Sequence, residues 1–215
     1  MKNYKYILFD LDGTLTDPSL GITKSVEYAL KKFEIPVGNR GELEKFIGPP
    51  LINSFMEFYD FDKEKAVKSV AVYREYFSVK GIFENKIYDS IEDTLERLKK
   101  MGKIIILATS KPEKFANQIL EFFKIDKYFD LVCGATMDEK LCEKNDIIRY
   151  ALSKIGNSNE NAIMVGDRKF DILGAKENGI DSIGVTYGFG NLDELNFAGA
   201  DYIISAPEEI FNIIS

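Results

Sequence analysis

Apolar positions along this chain fall into two kinds of pattern. Short unbroken runs recur at Tyr6-Ile7-Leu8-Phe9, Ile104-Ile105-Ile106-Leu107-Ala108, Leu131-Val132-Cys133, Ala162-Ile163-Met164-Val165, Ser182-Ile183-Gly184-Val185 and Tyr202-Ile203-Ile204. Runs this short and continuous predict strands covered on both faces. Between them, apolar residues return at intervals of three and four. Ile91, Leu95 and Leu98 do so before Gly102, then Phe115, Ile119, Leu120 and Phe123, then Ile147, Ile148, Ala151, Leu152 and Ile155 before Gly156. These predict amphipathic helices, two of them stopped by a glycine that tolerates the left-handed turn. Strand and helix in alternation predict an α/β fold, a Rossmann-like parallel sheet with right-handed crossovers.

One stretch breaks the alternation. From Thr16 to Gly81 no strand pattern is found. Val26, Ala29, Leu30 and Phe33 mark one helix, Phe55, Met56 and Tyr59 a second, and Ala66, Val67, Val70, Tyr73 and Phe77 a third. The expected organisation is an α/β core of residues 1–15 and 82–215 carrying a small helical insert of residues 16–81.

Composition narrows the chemistry. The 215 residues are 45% hydrophobic, enough for a buried core, and carry a net charge of −7. That balance argues against nucleic acid or an anionic membrane surface as a partner. No apolar run approaches the roughly 18 residues that span a bilayer, and residues 1–5 lead straight into a strand with no signal-peptide pattern. Two cysteines, Cys133 and Cys142, make no disulfide scaffold and fit a reducing, cytoplasmic location. Histidine is absent from the chain. Histidine bases, Ser-His-Asp and Cys-His schemes and histidine-bound zinc are therefore excluded. Catalysis must run on carboxylates, lysines, hydroxyls and a metal that prefers oxygen.

The informative residues stand where strands stop, the side of an open α/β sheet on which ligands bind. The first run ends in Asp10-Leu11-Asp12-Gly13-Thr14, the second in Thr109-Ser110-Lys111, and the fourth in Gly166-Asp167 with Asp171 four residues on. If these strands are neighbours, four carboxylates, two hydroxyls and a lysine converge. Clustered carboxylates repel one another unless a cation compensates, and Mg²⁺ with oxygen ligands is the natural one. Each piece also has a plainer reading. Asp-x-Asp-Gly forms turns. Thr109 and Ser110 suit a helix cap, with Pro112 at the first helical position. Asp167 and Asp171 suit a helix N-terminus.

Taken together, Asp10-Leu11-Asp12-Gly13-Thr14-Leu15-Thr16, Thr109-Ser110-Lys111, Lys144 and Gly166-Asp167-Arg168-Lys169-Phe170-Asp171 resemble motifs I to IV of the haloacid dehalogenase (HAD) superfamily, over nearly the whole chain. The helical insert resembles that superfamily's C1 cap. Phe46-Ile47-Gly48-Pro49-Pro50-Leu51 and the stretch 166–179 look most like its phosphoglycolate phosphatase and 5′-nucleotidase-like branch. The resemblance implies a Mg²⁺-dependent phosphatase acting through an aspartyl-phosphate. Asp10 would be the nucleophile and Asp12 the general acid and base. Thr109, Ser110 and Lys144, with Gly13 and Thr14, would hold the phosphoryl group. Asp10, Asp12 (through its backbone carbonyl), Asp167 and Asp171 would hold Mg²⁺.

Two departures from the family pattern stand out. Relatives often have Lys-Pro where Lys144 is followed by Asn145, which leaves Lys140 and Lys111 as rival lysines. They often have histidine at Phe170, a position expected to face a helix or the rim. Gly188-Phe189-Gly190 resembles the start of a dinucleotide fingerprint, lacks the third glycine, and reads as a rim loop. The insert's aromatic residues read as its core, and Gly48-Pro49-Pro50 as a rigid turn or a substrate-touching loop.

Asp12 argues against a dehalogenase, which needs no acid there. Lys24, Lys31, Lys32 and Lys45 lie in no apolar surround of the kind a Schiff-base phosphonatase needs. A small phosphorylated metabolite is the expected partner, phosphoglycolate first, with a nucleoside monophosphate or a sugar phosphate (phosphatase or mutase) as alternatives. A non-catalytic binding module is the alternative of another class. The chain is expected to be a monomer or weak homodimer.

Overall fold

The structure, a computed structural model, describes residues 2–138 and 140–214. In chain order, β1 (Tyr6–Phe9) and the short β2 (Thr16–Asp17) precede the helices α1 (Ser19–Lys32), α2 (Leu51–Tyr59) and α3 (Lys63–Phe77). After the short β3 (Lys86–Ile87) the chain alternates. It runs through α4 (Ile91–Lys100), β4 (Ile104–Pro112), α5 (Glu113–Phe122), β5 (Leu131–Ala135), α6 (Lys144–Lys154) and β6 (Ala162–Gly166). It ends with α7 (Lys169–Glu177), β7 (Asp181–Val185), α8 (Leu192–Ala198) and β8 (Tyr202–Ile204). Two compact units result, one of residues 1–16 and 87–215 and one of residues 17–86.

In the first unit six parallel strands are ordered β5-β4-β1-β6-β7-β8. The sheet is α/β, with helices between successive strands. Ile7, Leu8, Ile105, Ile106, Leu107, Ile163 and Met164 are each wholly buried. Consecutive residues of one strand point to opposite faces, so burial of both kinds needs cover on both sides. One cover is visible in the packing of Ile147, Ile148, Ala151 and Leu152 of α6 against Leu8, Ile106, Cys133 and Met164.

Register places the site. Phe9 of β1 lies opposite Leu107 of β4 and Val165 of β6, so the pairing of β1 with both neighbours ends at one level, while β4 continues to Pro112 beside β5. The Asp10 N–H still donates to Val165 O at 2.9 Å. From β1 the chain builds outward through β4 and β5, then crosses to the other side for β6, β7 and β8. Such a reversal of strand order opens a crevice at the carboxyl ends. Gly102 (φ +74°) and Gly156 (φ +72°) follow α4 and α6 in the left-handed conformation expected of them.

The second unit buries Ile22, Val26, Ala29 and Leu30 of α1 with Phe46, Phe55, Ala66, Val70, Tyr73 and Phe77. Met56 and Val67, expected on the buried stripes, are instead exposed. Each is one position, about 100° of helix, from a residue that does face inward, Phe55 and Ala66, and the stripe is too narrow for both. The unit runs to Lys86 rather than Gly81 because the turn at Gly81–Phe83 packs on α1. The Gly21 N–H donates to Glu84 O at 3.0 Å, and a Cβ on Gly21 would lie 1.9 Å from Gly81 O. Pro50 precedes α2, which makes Gly48-Pro49-Pro50 a helix-starting turn. No helix among the described residues is long and apolar enough to cross a membrane.

Candidate active site

β1 ends in a tight loop in which the N–H groups of Thr14, Leu15 and Thr16 all donate to Leu11 O. That winding brings Asp10 and Asp12 to the tip of the central strand, 4% and 8% exposed. From β6, the adjoining strand, come Asp167 and, one turn into α7, Asp171. Both are buried. Carboxylate oxygens of Asp10, Asp167 and Asp171 lie within 4.8 Å of one another. Asp171 also caps its helix, as its Oδ2 accepts the Arg168 N–H at 3.0 Å. The cap reading and the cluster reading are thus both satisfied by one side chain.

Lys144 opens α6 and extends into this cluster. Its Nζ is 2.6 Å from Asp10 Oδ1 and 2.9 Å from Asp171 Oδ1, and donates to Ala108 O at 3.0 Å. Lys140, by contrast, is exposed and pairs with Asp138. Lys111 goes elsewhere, its Nζ 2.7 Å from Asp12 Oδ2. Of the three rival lysines, Lys144 meets the first aspartate and Lys111 the second. The resemblance assigns Asp12 to the metal through its backbone carbonyl, and its carboxylate stands outside the three-carboxylate group.

The electrostatics follow from burial. Burial opposes charge on Lys144, yet Asp10 and Asp171 hold its ammonium well above the ordinary lysine range. Asp167 is pushed well up, first by burial and then by Asp171 and Asp10. Asp171 is pushed up to about 6, mainly by burial, with Lys144 opposing. Burial also raises Asp12, against the pull of Lys111. Three buried carboxylates with one ammonium touching two of them leave the pocket short of positive charge. An all-oxygen donor set with that deficit fits a hard divalent cation such as Mg²⁺. Asp10, Asp167 and Asp171 are the residues that would hold it.

Thr109 is buried at the end of β4 and its Oγ1 accepts the Lys111 N–H at 3.3 Å. Ser110 beside it is half-buried. Neither caps a helix. α5 begins at Glu113, Pro112 occupies the capping position instead of the first helical one, and no side chain caps there. The backbone irregularity between Thr109 and Pro112 carries the strand past the point where a cap would form. Gly13 and Thr14, expected to touch substrate, pack against Asp167. A Cβ on Gly13 (φ +84°) would lie 2.1 Å from Asp167 Oδ2, and Thr14 Oγ1 donates to Asp167 Oδ1 at 3.4 Å. Phe170 is half-buried under the cations of Arg168 and Lys169.

The loop after β7, a rim loop by its sequence, packs against Asp167 instead. The Phe189 N–H donates to Asp167 Oδ2 at 2.9 Å. A Cβ on Gly188 would lie 2.2 Å from Gly13 O, and one on Gly190 1.8 Å from Asp167 O. The Tyr187 hydroxyl donates to Thr14 O at 3.1 Å. The available signal was position: two glycines just past a strand's carboxyl end, where backbone must approach closely.

This arrangement, acidic tips of adjacent parallel strands met by buried lysines, defines a class. The model of the haloacid dehalogenase-like hydrolases matches residues 7–185, and the chain belongs to that family. It is 46% identical over 192 residues to a 5′-nucleotidase of Pseudomonas aeruginosa, covering 89% of this chain and 87% of the relative. It is 29% identical over 226 residues to a phosphoglycolate phosphatase of Vibrio parahaemolyticus, covering 100% of this chain and 97% of the relative. Among solved structures, a predicted phosphatase from Clostridium acetobutylicum superposes with a TM-score of 0.97 at 52% identity, over 99% of this chain and 98% of that one. The chain is accordingly an enzyme of the phosphoric monoester hydrolase type.

Proposed function

We propose that the chain is a Mg²⁺-dependent phosphatase of small phosphate monoesters, working through a phosphoryl group carried on Asp10. The observation that carries this reading is the convergence of buried Asp10, Asp167 and Asp171, with the Lys144 ammonium on Asp10 and Asp171. A carboxylate oxygen of Asp10 attacks phosphorus, and the bond from phosphorus to the ester oxygen breaks. Asp12 gives its proton to the departing oxygen. In the second half, Asp12 takes a proton from water, the water oxygen attacks phosphorus, and the Asp10 carboxylate leaves, releasing inorganic phosphate. Lys144 neutralises Asp10 as the anionic substrate approaches, and the Thr109 hydroxyl and the Ser110 N–H orient the phosphoryl oxygens. When bound, the divalent ion offsets the charge of the phosphoryl oxygens.

For the substrate, the 46% identity to a 5′-nucleotidase favours a nucleoside 5′-monophosphate. Phosphoglycolate is the second reading, supported by the branch motifs and the 29% relative. Ranking kcat/KM over nucleoside monophosphates, phosphoglycolate and sugar phosphates decides between them. The core reading is tested by Asp10→Asn. The variant keeps the fold, since Asn is isosteric, and loses 4-nitrophenyl phosphate hydrolysis entirely. Turnover in Asp10→Asn at the parental rate would remove Asp10 as nucleophile, and a folded parent with no Mg²⁺-dependent turnover would favour a binding module.

A further inference from the structure

Lys111 has no part in the reaction as set out above, yet it is buried and its Nζ lies 2.7 Å from Asp12 Oδ2. The partner oxygen, Asp12 Oδ1, is buried without a hydrogen-bond partner among the described residues. We infer that Lys111 is the positioning residue of Asp12, holding Oδ2 so that Oδ1 is the oxygen that exchanges the proton. The inference rests on the phosphatase reading.

The backbone is built to bring this lysine there. Thr109 of β4 lies opposite Gly134, and Pro112 opposite the next residue, Ala135, so Ser110 and Lys111 are extra residues in a bulge. Bulges re-aim side chains beside active sites. The bulge is braced from both sides. The Lys111 N–H donates to Thr109 Oγ1, and the β5 backbone presses in at Gly134, where a Cβ would lie 2.8 Å from Lys111 O and 2.6 Å from Glu113 Cα. A buried ion pair is a poor device for stability, because desolvating both charges offsets their attraction. It is a good device for orientation. An aspartate alone has two equivalent oxygens and a freely turning carboxylate. A lysine on one of them removes that degeneracy, and supporting contacts of this kind are what hold a proton-transfer group in its working geometry. Lys144 is already committed to Asp10 and Asp171, so the two lysines divide the labour: one for the nucleophile, one for the acid and base.

The test separates the two half-reactions. From 4-nitrophenyl phosphate the leaving group departs as the stable phenolate and needs no proton, whereas breakdown of the phosphoryl-enzyme needs Asp12 to take one from water. With Mg²⁺ present, Lys111→Met is expected to release the first equivalent of phenolate at the parental rate. Its steady-state turnover falls by about a hundredfold, the usual weight of a positioned base. Acid-quenched intact protein then carries more phosphoryl mass than the parent. Lys111→Arg restores most of the turnover. Asp12→Asn with Lys111→Met, which leaves no stranded charge to unfold the protein, is no slower than Asp12→Asn alone, because Lys111 acts through Asp12. Parental turnover in Lys111→Met overturns the inference, as does loss of the first turnover in step with the rest. So does a further loss or a raised KM in the double variant, which would make Lys111 a phosphate ligand. If neither the parent nor Lys111→Met ever carries phosphoryl, the reading of a phosphoryl group held on the enzyme has itself failed, and the difference is visible in the same mass spectrum.

Discussion

At the scale of single residues, the site is a problem in charge placed out of water. Asp10, Asp167 and Asp171 are buried together, and Lys144 is the cation that touches two of them. Replacing Lys144 with Met strands two carboxylates, so we expect kcat/KM to fall by at least about a hundredfold, read with any reactive aryl phosphate. The types of residue involved were legible from the chain alone, because Asp, Thr, Ser and Lys rarely follow unbroken apolar runs without a use. Which lysine met which carboxylate was not. Lys111, Lys140 and Lys144 are alike as residues, and only the path of β4 and the start of α6 sorts them. Gly188 is the sharper case. It stands far along the chain from Gly13, yet a Cβ there would lie 2.2 Å from Gly13 O. Gly188→Ala should displace the loop whose Phe189 N–H holds Asp167, raising the Mg²⁺ concentration needed for half-maximal activity by tenfold or so, as other loosened supports of metal ligands do. A titration of activity with Mg²⁺ checks it, and an unchanged midpoint would release the loop from the site.

At the scale of elements, strands and helices followed from periodicity because each is a local solution. Two-sided burial needs continuous apolar runs, and one-sided burial needs a return every three or four residues. Gly102 and Gly156 ended their helices as expected, for they sit at φ values that side chains resist. Gly156→Ala should cost ~1–2 kcal/mol in urea unfolding, the usual penalty for a side chain in that conformation. Elements escaped the pattern where a neighbour intervened. Met56 and Val67 are apolar and lie on helices, but the helices rotate to bury Phe55 and Ala66 in their place. The plainer reading of Thr109 and Ser110 as a cap gave way to a bulge, since β5 sets Thr109 and Pro112 opposite the successive residues Gly134 and Ala135.

For the whole molecule, the crowding of like charge leads us to expect that a bound divalent cation raises stability. A ligand that binds only the folded state stabilises it by RT ln(1 + [L]/Kd), about 2.7 kcal/mol at a hundred times Kd. We expect the melting temperature to rise with Mg²⁺ in the parent. In Asp167→Asn the metal-free protein should melt higher than the metal-free parent, since a buried like charge is gone, and Mg²⁺ should shift it little. Thermal unfolding with and without chelator measures both; a Mg²⁺ response equal to that of the parent would remove Asp167 from the metal residues.

The linear sequence by itself determined which segments become strands and helices, that one stretch stands apart as a helical insert, and that histidine has no part in the chemistry. Those are local or compositional properties, set by side chains within a turn or two of one another. Only the tertiary structure decided that β1 lies between β4 and β6 in matched register, that Lys144 faces Asp10 while Lys111 faces Asp12, and that the loop at Gly188 closes on Asp167. Each is a meeting of segments distant along the chain, governed by sheet order and close packing, and no pattern within a single segment encodes it.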